Sequence, residues 1–183
     1  MTPVPGPRPN RTKRGHLDPS EENVTPWVWR SSLSEGWGRV KKEGFFSRDT
    51  AQVARELLGA CFRSTVQGEE VLGVVVETEA YVGPHDPASH AAHPIGRTSR
   101  NRSMFGSAGR AYVYRSYGIH WCLNVVTEAE GFPAAVLIRG LDVFRGEAVA
   151  RRRRRGKEPL CAGPGRLCQA MGVTGALDGH DLG

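Results

Sequence analysis

Residues 71–81, VLGVVVETEAY, constrain the possible folds of this chain more than any other segment. Their β-branched residues predict a β-strand. Because side chains alternate between the two faces of a strand, Glu77 and Glu79 share one face. Carboxylates on an apolar strand are costly to bury unless they are paired or used in chemistry. This face therefore lies either at a solvated strand end or in a site where one carboxylate activates a water molecule.

A basic segment follows this strand. Residues 97–115 contain five arginines and no Asp or Glu, in a chain of 183 residues with a formal net charge of +6. Tyr112, Tyr114 and Tyr117 lie within this segment or just after it. A solvated basic face is one interpretation. The other is a surface that binds the phosphates and aromatic bases of a polyanion.

The apolar pattern predicts strands in succession with helices beside them. Asp49 or Thr50 can cap a first helix that runs to about Leu58. The other predicted elements are strands at 111–114, 120–127 and 134–139, a turn at Tyr117-Gly118, and helices at 143–154 and 164–171. This order predicts an α+β (mixed) fold, a single domain with a mostly antiparallel sheet flanked by helices.

The first 44 residues differ from the rest of the chain. They are rich in Pro and polar residues and show no apolar periodicity, which predicts a flexible N-terminal tail over 1–44 and a folded domain over 45–183. Trp27, Trp29 and Trp37 are unusual in a tail. Either they dock on the domain, or the start codon is assigned too far upstream.

The cysteines and the apolar runs predict the compartment. Cys61, Cys122, Cys161 and Cys168 form no CxxC pair, which favours buried reduced thiols. No apolar run approaches the ~20 residues that cross a bilayer, and the N-terminus has no signal-like apolar region. We therefore expect a protein of the cytoplasm (bacterial nucleoid) or nucleus that is neither secreted nor membrane-bound.

Two residue types stand out near these strands. Arg139 ends the apolar run 134–139, and an arginine in a core strand commonly pairs with an acid. Tyr112 and Tyr114 share a strand face, where an aromatic residue is usually part of the core. Tyr117 precedes Gly118 at the predicted turn and is placed to reach out and stack on a base.

No metal or covalent amine chemistry is predicted. His85, His90 and His93 lie near Asp86, but their spacing matches no standard zinc motif, so a histidine that contacts a ligand or closes a loop is favoured.

The lysines are Lys13, Lys41, Lys42 and Lys157. Since none lies in residues 44–156, a Schiff-base mechanism has no candidate there, and a hydrolase would use water as its nucleophile.

Two basic features follow the strands. Residues 151–155 are all arginine, which fits a solvated helix end or a contact to a DNA backbone. Residues 163–166, Gly-Pro-Gly-Arg, open the last predicted helix, where free N–H groups and Arg166 favour a phosphate site.

Six motifs in order give the chain a specific resemblance. VETEAYVGPHDPASH, RNRSMFG, AYVYRSYG, CLNVV, LIRG and GPGRLCQAMGV are similar to those of the alkyladenine (3-methyladenine) DNA glycosylases, over about residues 45–182. The resemblance implies a single-domain mixed fold with a curved antiparallel sheet. It also implies a cofactor-independent, monomeric, monofunctional glycosylase of base excision repair. Such an enzyme flips alkylated and deaminated purines out of double-stranded DNA and hydrolyses their N-glycosidic bonds with water.

The resemblance implies a role for each matched residue. Glu79 would deprotonate the attacking water, and Arg139 would help to hold it. Tyr117 would insert into the duplex where the base has left. The base pocket would comprise Tyr81, His90, Tyr114 and Asn124, and the DNA backbone would be contacted by Arg100, Arg102 and Arg166.

The chain also departs from that family. His85 stands where an acidic residue is common, and the family usually continues past Gly183 with another strand, so we expect a domain that is truncated or lacks a final strand. Two other functions fit parts of the pattern. A catalytically inactive nucleic-acid-binding protein would keep the basic surface and Tyr117. A hydrolase of free nucleosides would need neither.

Overall fold

The computed structural model of the chain describes residues 28–29, 38–39 and 44–182. The helices in these ranges are α1 (Thr50–Leu57), α2 (Glu147–Arg153) and α3 (Pro164–Met171). The strands are β1 (Val28–Trp29), β2 (Gly38–Arg39), β3 (Cys61–Val66), β4 (Glu69–Tyr81), β5 (Ala111–Ser116), β6 (His120–Thr127) and β7 (Ala134–Arg145). Short 3₁₀ helices cover Arg102–Phe105 and Gly175–Leu177.

All of these strands belong to one sheet in the order β2-β1-β3-β4-β7-β6-β5. Every neighbouring pair is antiparallel. The central pair, β4 and β7, shifts register at residues 72/73, 75/77 and 77/78 of β4. Such irregularities bend a strand and increase its twist. The predicted α+β fold with a curved, mostly antiparallel sheet and flanking helices is confirmed.

The helices pack on one face of the sheet. Their apolar residues form a single buried cluster with alternate residues of the strands, including Val53, Leu167, Val113, Leu123 and Ile138. The opposite face is covered by the segment that joins β4 to β5. A second, smaller cluster lies there: Ala91, Met104, Tyr112, Val126 and Ala135. Side-chain alternation thus gives the sheet a helix face and a loop face.

The predicted first helix and its cap are confirmed. The Asp49 carboxylate accepts a hydrogen bond of 2.8 Å from the backbone N–H of Gln52, which satisfies one of the free donors at the start of α1. Val53 and Leu57 are fully buried, as the apolar period of the helix requires.

The predicted helix at 143–154 is wrong at its N-terminal end. β7 continues to Arg145 because residues 142–145 pair with the start of β4. Gly146 then turns the chain with φ +74°, and a Cβ there would lie 2.1 Å from the carbonyl oxygen of Glu70. Only a glycine fits this close approach to the Glu70 carbonyl. β7 therefore ends before Gly146, and α2 begins after it, at Glu147. β3, with its alternating buried residues, was not predicted from the sequence.

The four cysteines are buried and free, as predicted. β1 and β2 lie within the predicted tail and extend the sheet through a pairing of Val28 with Cys61. The rest of residues 1–43, including Trp27 and Trp37, lies outside the described residues. The flexible tail therefore stays a prediction. Among the described residues, no helix combines the length and apolar character that a bilayer span requires.

Candidate active site

The alternation of β4 divides its C-terminal residues between the two sheet faces. On the helix face, the Thr78 hydroxyl donates to the Ala54 carbonyl of α1 at 3.0 Å. Glu77, Glu79 and Tyr81 therefore project from the loop face. The sequence pattern alone predicts this placement for the two carboxylates.

Arg139 of β7 lies between these carboxylates. Its Nη1 is 2.6 Å from Glu79 Oε1, and its Nε is 3.2 Å from Glu77 Oε1. Gly140 pairs with Glu77 in the register, and a Cβ there would meet the Glu77 Cβ at 3.2 Å. The absence of a side chain at Gly140 therefore leaves room for Glu77 to reach the guanidinium.

The second carboxylate oxygen of Glu79 is also engaged. The Tyr81 hydroxyl donates to Glu79 Oε2 at 2.7 Å, which fixes the orientation of the Tyr81 ring. The side chains of Arg139 and Glu79 are 34% and 39% exposed. Ion pairs this exposed contribute about 0–1 kcal/mol to stability. The Arg139–Glu79 pair therefore adds little to the stability of the fold. The two contacts hold the Glu79 carboxylate in a defined orientation.

The protonation states follow from the surroundings. Burial would lower the pKa of Arg139, but the charges and hydrogen bonds of Glu79 and Glu77 raise it above its ordinary value. Burial and the hydrogen bond to Glu79 raise the pKa of the Tyr81 hydroxyl. Arg139 therefore stays a cation and Tyr81 a hydrogen-bond donor at neutral pH.

A cavity lined mainly by aromatic side chains lies beside Glu79, and we call it the aromatic pocket. Its lining residues are Tyr81, Ala88, His90, Met104, Tyr112, Tyr114 and Asn124. The His90 ring stands edge-on to Tyr114, with centroids 4.3 Å apart, and its Nδ1 is 2.9 Å from the Tyr112 hydroxyl. The enclosed space measures about 20 Å³, room for roughly one water molecule.

Asn124 forms the rigid wall of this pocket. It is 1% exposed, and its Nδ2 donates to the Tyr112 carbonyl at 2.9 Å. A carbonyl oxygen can only accept, so this bond fixes which end of the amide faces Tyr112. Because the side chain is buried and bonded, it cannot easily move aside for a larger ring.

Asn101 is a positioning residue that sequence reasoning missed. It is 1% exposed, and its Nδ2 donates to the carbonyls of His90 and Gly96 at 3.0 and 2.9 Å. Its Oδ1 accepts from the Thr98 N–H at 2.6 Å. One amide thus fixes the backbone on both sides of the loop that carries His90. The only sequence signal for this role is its place inside the motif RNRSMFG.

His90 is expected to make stability depend on pH. Burial and the Arg100 charge lower its pKa below the ordinary value. On acidification below about pH 6.5 the unfolded chain takes up the proton first, so the folded state loses stability until the folded pKa is reached. We expect unfolding free energies, measured from pH 7.5 to 5, to fall less steeply for His90→Gln than for wild type. Identical slopes would contradict a neutral His90 in the folded protein.

Tyr117 lies at the turn between β5 and β6, as predicted. It is 94% exposed, and its φ of +49° is in the left-handed region, followed by Gly118 at +70°. An aromatic ring held out into solvent does not stabilise the fold. It is available to contact a partner.

The predicted backbone-binding arginines are exposed around the pocket and the α3 N-terminus. Arg100 lies over the Tyr114 ring at 5.5 Å and donates to the Arg115 carbonyl, while Arg166 donates to the Ala162 carbonyl at 3.1 Å. Arg102 lies in the 3₁₀ helix that carries Met104. Within the described ranges, none of Arg100, Arg102 and Arg166 forms an ion pair with a carboxylate.

The arginines of residues 151–155 are placed differently. Arg151 pairs with Glu147 and Glu158, Arg152 with Glu69, and Arg153 donates to the Val66 carbonyl at 3.0 Å. Arg154 is 7% exposed and bonds to Gln169 at 2.7 Å. These four side chains contact groups of this chain, which disfavours a DNA-backbone contact, and Arg153 and Arg154 are too buried for the predicted solvated helix end.

His85 and His93 do not line the aromatic pocket. Across the residues that the structure describes, no group of three or more His, Cys, Asp or Glu side chains is arranged to hold a metal ion.

Comparison with known proteins decides the family. The sequence profile of the methylpurine-DNA glycosylases matches residues 44–183, which is more than half of the chain. The chain belongs to the methylpurine-DNA glycosylase family. It is thus a DNA glycosylase of DNA repair, and the predicted family and enzyme class are confirmed.

Curated relatives of this family member carry the name "Putative 3-methyladenine DNA glycosylase". One from Agrobacterium fabrum is 52% identical over 153 residues, covering 82% of this chain and 74% of the relative. One from Methanocella arvoryzae is 47% identical, covering 78% and 72%. One from Rhodopseudomonas palustris strain HaA2 is 53% identical, covering 79% and 70%.

Proposed function

We propose that this family member is a monofunctional glycosylase that hydrolyses the N-glycosidic bond of alkylated purines in double-stranded DNA. One observation carries this proposal: the Glu79 carboxylate, bonded to Arg139 at 2.6 Å and to Tyr81 at 2.7 Å, lies beside an aromatic pocket. A carboxylate, a cation and stacked rings are the groups that a base-releasing hydrolase needs.

The chemical step uses a water molecule held by Glu79 and Arg139. Each Glu79 oxygen has one hydrogen-bonding partner among the described side chains and can accept another from water. As water attacks the sugar C1′, its oxygen forms the new bond and its proton passes to Glu79. The C1′–N bond breaks, and its electron pair leaves with the purine. A cationic alkylated purine departs as a neutral base, so no group need protonate it.

Selectivity for alkylated purines follows from the pocket's rings. Tyr81 and Tyr114 offer aromatic faces, and an electron-poor or cationic ring gains more from such faces than a neutral one does. A neutral His90, bonded to Tyr112, adds no positive charge to oppose it. The fixed Asn124 side chain disfavours the exocyclic 2-amino group of guanine by its bulk, so alkylated adenines are favoured over alkylated guanines. Hypoxanthine, the deaminated form of adenine, lacks this 2-amino group and also fits the pocket.

The base has to leave the duplex to reach Glu79. The atoms attacked are inaccessible in stacked DNA, and extrusion costs least for damaged or badly paired bases. We propose that Tyr117 fills the gap. A space of about 20 Å³ is too small for a purine, so the aromatic pocket has to widen when the base enters.

The DNA backbone is held by arginines that have no carboxylate partner among the described residues. Arg100, Arg102 and Arg166 surround the pocket and the α3 N-terminus, whereas the described arginines of α2 are engaged with the fold. An arginine that meets no carboxylate on its own protein can displace a counterion from phosphate. One chain carries the whole site, so we propose that it acts as a monomer.

The test is incubation of the purified protein with a methylated duplex. We expect free alkylated purine, together with a strand that breaks at the abasic site only after treatment with alkali. Strand breakage without alkali would contradict a monofunctional enzyme. Stable binding of the duplex without base release would favour the inactive nucleic-acid-binding alternative.

A further inference from the structure

Arg115 occupies the side of the β5–β6 hairpin that faces away from the aromatic pocket. Tyr112 and Tyr114 project from the loop face, so the alternation of β5 places Arg115 on the helix face with Val113. Its guanidinium carbon lies 4.9 Å from the centroid of the Trp121 ring on β6. Arg115 is nevertheless exposed, two positions before Tyr117.

The Trp121 ring is a fixed platform for this guanidinium. Trp121 packs against the main core, and a Cβ on Gly175 would lie 2.6 Å from its ring. The backbone of Arg115 is also held, because its carbonyl accepts from Arg100 Nη2 at 2.7 Å. A side chain ordered before binding loses less conformational entropy when it meets a ligand.

Nothing in the described structure neutralises this cation. In the ranges 28–29, 38–39 and 44–182, no ion pair joins Arg115 to a carboxylate. The guanidinium carbon lies over the Trp121 ring, and no hydrogen bond within the described residues uses the side-chain N–H groups of Arg115, which can therefore donate to a ligand. Bidentate donation from this edge matches the oxygens of a phosphate.

We propose that Arg115 binds a backbone phosphate of the duplex on the side of Tyr117 away from the extruded base. The inference rests on the proposed function, since it takes DNA as the substrate and Tyr117 as the inserted residue. With Arg100 of the preceding segment over the loop face and Arg115 on the helix face, the hairpin has a cation on each side. Phosphate contacts on both sides of the inserted Tyr117 would then fix the position of the hairpin on the duplex.

The salt dependence of binding tests this proposal. The probe is an undamaged duplex, and the affinities of wild type and Arg115→Gln are measured between 50 and 200 mM salt. Losing one phosphate contact should reduce the slope of log K against log[salt] by about 0.9 and weaken binding roughly three- to tenfold. Arg115→Lys keeps the charge and should keep most of the slope.

The matched control is Arg55→Gln, which removes the same charge from an exposed position on α1. The first turn of α1 contacts Thr127, at the opposite end of β6 from the hairpin turn. This variant should keep the wild-type slope. Thermal unfolding of each variant checks that the Trp121 contact is not simply structural.

Single methylphosphonate substitutions along both strands locate the contact. One neutralised phosphate should weaken wild type but not Arg115→Gln, because the contact is already lost in the variant. If Arg115→Gln binds with the wild-type slope while wild type releases methylated purines, the Arg115 proposal is wrong and the proposed function stands. If wild type neither binds the duplex nor releases a base, the proposed function itself is wrong.

Discussion

Glu79→Gln is expected to abolish base release while leaving DNA binding nearly intact. Glutamine keeps the shape of the side chain but cannot take a proton from water, and loss of a general base typically costs about 10²- to 10⁴-fold in rate. The amide can still bond to Arg139 and Tyr81, and the lost ion pair is partly exposed, so stability should change by less than about 1 kcal/mol. Single-turnover release from a methylated duplex measures the rate.

Glu77→Gln is the matched control for this experiment. Glu77 lies on the same strand face and pairs with the same arginine, at 3.2 Å, but has no described contact with Tyr81. We expect it to keep the rate within about tenfold of wild type, since it removes no general base. Equal losses in the two variants would contradict the assignment of the general base to Glu79 rather than Glu77. Binding of the duplex by an inactive wild type would support the nucleic-acid-binding alternative instead.

Tyr117→Ala should weaken the capture of an extruded base. Stacking of an aromatic side chain on a base contributes about 1–3 kcal/mol, which corresponds to roughly a five- to hundredfold loss in productive binding. Because the side chain is 94% exposed, the unfolding free energy should change by no more than about 0.5 kcal/mol. Fluorescence of 2-aminopurine placed next to the lesion reports unstacking, and release at subsaturating enzyme reports its consequence.

Tyr117→Phe separates the ring from the hydroxyl. It keeps the stacking surface and should behave like wild type in both measurements. A Tyr117→Ala protein that unstacks the reporter normally would exclude insertion of this ring. A large drop in its melting temperature would show that Tyr117 supports the fold, contrary to its exposure.

Much of the site's arrangement could be predicted from strand periodicity. Glu77 and Glu79 had to share a face because they are two residues apart in a β-branched strand. The exposed position of Tyr117 followed from the glycine after it, which marks a turn. The six motifs supplied the family, because side chains that build a site recur in a fixed order along the chain.

Contacts between distant segments could not be predicted in this way. The extension of β7 to Arg145 depends on its pairing with β4, and β3 depends on the same partner strand. The bonds of Asn101 to the His90 loop and the ion pairs of α2 also join segments that no local pattern connects. The sequence does not show whether a carboxylate on another element of the fold neutralises an arginine side chain.

The sequence by itself determined that Glu77 and Glu79 share a strand face, where the β5–β6 turn occurs and to which family the chain belongs. The first two arise from periodicity and turn chemistry, which act between near neighbours, and the third from the order of motifs along the chain. Only the tertiary structure decided that Glu79 bonds to both Arg139 and Tyr81, and that Arg115 lies over Trp121 with no ion pair to a described carboxylate. Those distances depend on how separate strands pair and bend, which is fixed by the packing of the whole sheet.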